Sequence, residues 1–432
     1  MSAVVLTPVK GRLEGFVPLP FSKSLSNRHL VLGAHTGRPF TITGLSTAQD
    51  TLYLVQALKQ LGYRHLKAEG DSHTFLPPTD WPKEAQLFAG EGGTTLRFLV
   101  PLLAHLPLQT TIDASPSLRK RPILPLLEAL RNTGLTVRTG SSLYPLVIEG
   151  HPQWSPSRIA VDSSLSSQFL SAFFLAAPHL PVGCVIEERS SHPATPSYAE
   201  MTRQLLAAYG WLWEKASSGW HLTQRPASEG MLHFAGEADW SAAVFFWGWA
   251  ALGEASLVLP LSVASLQPER TLLLQEPLWQ VRLTFLAQGL LIESPGRAVE
   301  PFELDLAEWP DAAPVLAVLA AFASGTSHLR GLHTLPHKES HRLQALASEL
   351  ARLGARVEWT AETLSIHPVS KLPQAPVTLD SHGDHRIAMA LSIVATRSPV
   401  PISITGAECV LKSFPHYWHL LRDLGVSLTF VS

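Results

Sequence analysis

Six times along this 432-residue chain a helix-like stretch ends in glycine and an alternating, strand-like stretch follows. The copies are "ALKQLGYRHLKAE" at Gly62, "ALRNTGLTVRTG" at Gly134, "LLAAYGWLWEKA" at Gly210, "TFLAQGLLIES" at Gly289, "ELARLGARVEW" at Gly354 and "LLRDLGVSLTFV" at Gly425. Glycine just past a helix adopts the left-handed cap without a Cβ penalty. The alternation behind it fits a half-buried strand. By subtraction of these positions the copies lie 65 to 79 residues apart, a period too long for a common solenoid. A chain this long also exceeds one ordinary hydrophobic core. Any α/β protein ends some helices this way, so the regularity carries the inference. The fold class expected is α/β, with six repeated α/β units, three in each of two domains. The turn-rich segment "RPASEGMLHFAGEAD" (225–239) between the third and fourth copies is the best candidate for a crossover.

Composition narrows the class of function. Hydrophobic residues make up 46% and charged residues 16%, which fits a well-buried globular protein and not a disordered one. The formal net charge of −2 leaves no electrostatic footprint for nucleic acid, so anion binding must be local. Cys184 and Cys409 cannot build a disulfide framework and lack metal-ligand spacing. The apolar runs at 242–253 and 312–325 are too short to span a bilayer and read as buried helices. No secretory pattern opens the sequence. A soluble, cytoplasmic protein is expected.

Several segments could carry chemistry, and each has a plain structural alternative. "LPFSKSLSNRHL" (19–30) puts Lys23 and Arg28 among serines at a helix start, where free N–H groups suit phosphate or carboxylate; it could equally be a serine cap with solvated cations. "FAGEGGTTLRF" (88–98) is glycine-rich, but neither a Walker A loop nor a dinucleotide fingerprint. In "SPSLRKRPILPLLEAL" (115–130) a basic triplet precedes Pro122, read as a first-turn residue; the triplet is a bound-anion signal or a surface run. "DSSLSSQFL" (162–170) opens an apolar helix with a hydroxyl cluster. Asp311 starts another, as an ordinary first-turn acid or a general base. In "LPHKESHRLQALASEL" (335–350) Lys338 and Arg342 fall one helical turn apart, as do His337 and His341, which raises a metal reading without the zinc-peptidase spacing. Asp384, His385 and Arg386 sit together in "SHGDHRIAMA", and Lys412 precedes a last helix. Helix starts this rich in cations and hydroxyls would trap ligands bearing several negative charges.

Taken together, "SKSLSNR", "GGTTLRF", "RKRP", "SSQFLSA", "PSY", "PDAA", "HKESHRL", "GDHRIAMA" and "LKSFPHYW" resemble the 5-enolpyruvylshikimate-3-phosphate synthase family. No single motif is specific, but nine in this order are, and they cover essentially the whole chain. The resemblance implies two domains, residues 1–20 with 237–432 and residues 21–236, with the active site in the cleft between them. It implies transfer of the enolpyruvyl group of phosphoenolpyruvate to shikimate 3-phosphate in aromatic amino-acid biosynthesis. The implied protein is a glyphosate target that works as a monomer, with no metal or cofactor and with neither nucleic acid nor membrane as partner.

Carried over position by position, the resemblance implies catalytic roles for Lys23, Asp311, Glu339 and His385. It implies substrate contacts for Ser24, Arg28, Gly93, Thr94, Arg121, Ser166, Ser167, Gln168, Thr195, Tyr198, Thr334, Lys338, Arg342, Arg386 and Lys412. Departures from the family pattern are Phe21 for a glycine, Glu91 for an amide, Thr195 for a serine, Thr334 for an asparagine, His341 for an aspartate and Gly383 for an asparagine. The alternatives are a UDP-N-acetylglucosamine enolpyruvyl transferase, which usually carries a reactive loop cysteine, a non-catalytic binding paralogue, and a metal hydrolase built on His337 and His341.

Overall fold

The computed structural model describes residues 3–68, 70–190, 194–227, 230–275 and 281–431. The chain forms two compact units, one of Phe21–Glu237 and one of Met1–Pro20 with Ala238–Ser432. Residues 228 and 229 of the turn-rich crossover segment lie outside the described residues.

Each unit holds three four-stranded sheets with one shared strand order. In the sheet of Glu84–Phe88, Gln109–Asp113, Leu143–Glu149 and Thr136–Gly140, the first two strands run parallel. The third is antiparallel to the second, and its hairpin partner forms the far edge. A parallel pair needs a crossover, and helix Gly93–Ala104 supplies it. A second helix, Leu124–Arg131, leads into the hairpin. The same strand order and directions recur in all six sheets, in two units with separate hydrophobic cores. Two sheets of the Ala238–Ser432 unit are completed by N-terminal strands. Ala3–Leu6 lies between Ile402–Thr405 and Leu428–Val431, and Leu13–Phe16 pairs parallel with Glu254–Leu259.

The helices fall into two kinds. Lys23–His35, Gly93–Ala104 and Ser167–Leu175 pack together at the centre of one unit. Trp240–Leu252, Ala313–Ala321 and His385–Ser392 do so in the other. Trp240–Leu252 is apolar on every side, so only full burial suits it. The second helix of a repeat is amphipathic, as in Arg342–Arg352, and lies over one face.

Five of the six glycines expected to cap helices do so. Gly62, Gly134, Gly210, Gly354 and Gly425 follow helices at φ between +86° and +97°. Gly289 does not. "TFLAQG" is strand: Arg282–Leu286 pairs antiparallel with Gly289–Pro295, and Gly289 (φ +137°) begins the hairpin's return strand. A Cβ there would fall 2.0 Å from the Leu259 carbonyl oxygen, which excludes any other residue. The short apolar run fits either period, and cross-strand pairing decides it.

Candidate functional site

In the Phe21–Glu237 unit three core helices bring their first turns together. The helix of the opening motif starts at Lys23, with Ser22 as its cap. Lys23 Nζ lies 2.8 Å from Asp50 Oδ2. Asn27 donates to Thr94 Oγ1 at 2.8 Å and accepts from Thr51 at 2.9 Å, which ties this helix to the glycine loop. Gly92 caps the next helix. A Cβ on Gly93 would come within 2.9 Å of Arg121 Nη2, so the absent side chain lets the guanidinium lie against the helix start. Ser166 caps the third helix, with Ser167 and Gln168 in its first turn.

Arg97 joins these motifs, and sequence reasoning left it out of the site. It donates to Gln168 Oε1 (2.8 Å), Ser166 Oγ (3.3 Å) and the Pro122 carbonyl (2.6 Å). Its signal was an arginine in an otherwise apolar helix. Arg28 is also buried. It donates to Thr202 Oγ1 (2.7 Å) and to the carbonyls of Ser24 (2.9 Å) and Tyr198 (3.2 Å). Burial pulls its pKa down to about 10, because no carboxylate compensates. Thr195 is buried at a left-handed turn (φ +48°) that caps helix Pro196–Ala208. The basic triplet divides: Arg119 pairs with Asp113 at 2.5 Å, while Arg121 reaches the glycine loop. Pro122 precedes the next helix, which starts at Leu124, so it is not the first-turn residue expected.

The other unit gathers charge. Arg342, 1% exposed, meets Asp311 (2.8 Å), Glu339 (2.7 Å) and Asp384 (2.7 Å). Lys338 lies 3.2 Å from Asp311, Arg386 3.2 Å from its other oxygen, and Lys412 3.1 Å from Glu339. Burial works to raise the Asp311 carboxyl, but Arg386, Lys338 and Arg342 overcome it and hold it well below the usual carboxylate range. For Arg342 burial opposes charge, and Asp384, Glu339 and Asp311 reverse that and raise its pKa. Lys338 ends lowered, because its burial outweighs Asp311. Asp384, noted in the sequence beside His385 and Arg386, was given no site role there. It is fully buried, caps helix His385–Ser392 through the Arg386 N–H, and receives Arg342 and Ser340. Thr334 is buried, and its Oγ1 has no partner among the described residues.

Two local expectations are corrected. The helix starts at Arg342, so Lys338 and Glu339 precede it in a bend, with Lys338 extended, and Lys338 reaches Asp311 from a loop. His337 ends a 3-10 turn and His341 is the helix cap, accepting from the Gln344 N–H. The helical spacing that would have paired the two histidines on a metal does not form. Cys184 is buried, which pushes its thiol up to about 12 and removes it as a reactive cysteine. Among the described residues no helix is long and apolar enough to cross a membrane.

A family model described as EPSP synthase (3-phosphoshikimate 1-carboxyvinyltransferase) matches residues 8–421. The 3-phosphoshikimate 1-carboxyvinyltransferase of Syntrophobacter fumaroxidans is 34% identical over 423 residues, covering 97% of this chain and 99% of its own. That of Photobacterium profundum is 31% identical, covering 98% and 99%. Among solved structures, EPSP synthase from Acinetobacter baumannii superposes with a TM-score of 0.77 at 24% identity over the whole of both chains. The enolpyruvyl transferase NikO from Streptomyces tendae gives 0.74 at 16% identity, covering 100% of this chain and 99% of its own. At these identities the two structures speak for the fold.

Proposed function

Since the chain belongs to the EPSP synthase family, we propose that its two polar constellations divide the work of that family's reaction. The reaction is transfer of the enolpyruvyl group of phosphoenolpyruvate to the 5-hydroxyl of shikimate 3-phosphate, with release of phosphate. The observation that carries the assignment is Asp311, a carboxylate at the start of a core helix contacted by Lys338, Arg342 and Arg386.

Three events are required: the 5-hydroxyl loses a proton, the methylene carbon gains one, and a dianionic phosphate leaves the tetrahedral ketal. Asp311 accepts the hydroxyl proton. A carboxyl held so low is a weak base while its cations are engaged only with it. Anionic substrate competes for Lys338 and Arg386, relaxes their hold and raises Asp311 toward useful basicity. Glu339, between Arg342 and Lys412, and Lys23, beside Asp50, are the candidate donors to the methylene carbon, with His385 at the start of its helix as a further catalytic group. Arg121, Arg342, Arg386 and Lys412 hold carboxylate and phosphate charge as the ketal forms and collapses. Ser24, Gly93, Thr94, Ser166, Ser167 and Gln168 offer hydroxyl, amide and backbone donors at helix starts. Tyr198, Thr195 and Thr334 complete the contacts. Arg28 keeps only those N–H groups its internal bonds leave over. The working form is a cytoplasmic monomer.

Phosphate release from phosphoenolpyruvate tests the reading. Release is expected with shikimate 3-phosphate and not with UDP-N-acetylglucosamine. Release with the second acceptor alone, or with neither, overturns it. Light scattering of the purified chain tests the monomer.

A further inference from the structure

The three core helices of the Phe21–Glu237 unit also converge at their other ends. His35 is the last residue of helix Lys23–His35, His105 is the cap of Gly93–Ala104, and His179 lies in the turn just past Ser167–Leu175. Their rings stack at centroid distances of 5.1 Å (35 to 105) and 3.3 Å (105 to 179), and 35 meets 179 at 5.6 Å. One ring nitrogen from each lies within 4.8 Å of the other two. Both nitrogens of His35, Nδ1 of His105 and Nε2 of His179 are buried without a hydrogen-bond partner among the described residues. His35 is fully buried, His105 is 7% exposed, and His179 is half-buried, the most accessible of the three.

Buried polar atoms without partners are rare in native interiors and call for an explanation. Three neutral imidazoles with their ring nitrogens this close together are the donor set that zinc and its late first-row neighbours prefer. Burial is the main force holding all three rings below their usual range, His179 at about 4, so each is neutral and able to ligate at neutral pH. Three helix C-termini also meet here, and each carries partial negative charge that favours a cation. The nearby cation, Arg225, is engaged by the carbonyls of Ala177 and Pro178. The fold does not demand the cluster. The corresponding helix ends of the other unit carry Gly253, Phe322 and, past a 3-10 turn, Arg397.

We propose that His35, His105 and His179 form a binding site for a divalent late transition metal, zinc foremost, which ties the three core helices together at the end away from Lys23, Thr94 and Ser166. Zinc takes the three imidazoles and a water, and enters past His179. Bonds of 2.0–2.1 Å at a tetrahedral centre place the nitrogens about 3.4 Å and the ring centroids about 5 Å apart, so His105 and His179 swing out of their 3.3 Å stack as their nitrogens close on the metal. The metal takes no part in enolpyruvyl transfer.

The test uses the full chain, stripped with chelator, desalted and titrated with Zn²⁺ and separately with Co²⁺. Expected are one equivalent retained per chain and a tetrahedral cobalt spectrum. Affinity should fall on the order of a hundredfold in His179→Ala and in His105→Gln. His179 lies half-buried in a turn, so its variant keeps the test open if His105→Gln misfolds. His337→Ala with His341→Ala should leave binding unchanged. Failure of the wild type to retain an equivalent, or retention unchanged in His179→Ala, overturns the site. Loss of turnover on stripping, restored by zinc, overturns its separation from catalysis.

Discussion

The two units cap their core helices differently, and the difference explains their unlike sites. In Phe21–Glu237 the caps are Ser22, Gly92 and Ser166, all neutral. In the other unit Asp239 and Asp384 cap two of the three, and Asp311 opens the turn before the third. Neutral caps leave the positive helix ends available to an anionic ligand. Aspartate caps spend that potential internally, and cations from other segments restore it: Lys338, Arg342, Arg386 and Lys412. One unit offers dipoles and hydroxyls, and the other a coupled network of full charges.

The largest expected effect breaks the charged side at its proton acceptor. Asp311→Ala should lower kcat about 10²–10⁴-fold, read by phosphate release; turnover at the wild-type rate would remove Asp311 as the base. Next come the two buried arginines, each 1% exposed. Arg342→Met takes the shared cation from Asp311 and Glu339, which keep Lys338, Arg386 and Lys412, and strands the fully buried Asp384; it should cost about 3–5 kcal/mol in urea unfolding. Arg28→Met strands only hydroxyl and carbonyl oxygens and should cost about 1–3 kcal/mol. Equal costs would erase the contrast. Gly93→Ala pushes on Arg121 and should raise the KM for phosphoenolpyruvate about tenfold, about 1.4 kcal/mol, with unfolding nearly unchanged.

Acid should separate the units most gently. His29 (held by burial at about 3), His35, His105 and His179 all lie in one unit with lowered pKa values. As pH falls below about 6.5 the unfolded chain takes up protons that these folded rings refuse, so their contribution, complete above that pH, is progressively lost. Asp311 in the other unit is also depressed, but its contribution is complete above about pH 4 and lost only below it. Hydrogen exchange should therefore show the Phe21–Glu237 unit losing protection first. The reverse order would mean that other groups dominate.

Much of this was legible in the chain. Glycine needs no tertiary partner to cap a helix, so five repeats could be read from local chemistry, as could the existence of the helices that follow the polar clusters near Lys23, Ser167 and His385, though not their first residues. The helix assigned before Gly289 failed because strand pairing with Glu254–Leu259 outweighs a short ambiguous apolar run. Arg97, Asp384 and the three histidines escaped for another reason. Each looks ordinary beside its sequence neighbours, and each acts on groups from other helices or repeats.

The sequence by itself determined the repeat, the class of fold and the residue types at the helix starts, because propensity, capping and periodicity act over a few residues. Only the tertiary structure decided which side chains meet. It set Arg342 among three carboxylates, Arg28 among none, and His35, His105 and His179 against one another. Such meetings depend on how segments pack side by side, and packing joins residues tens of positions apart around Arg342 and a repeat or more apart around Arg28 and the histidines.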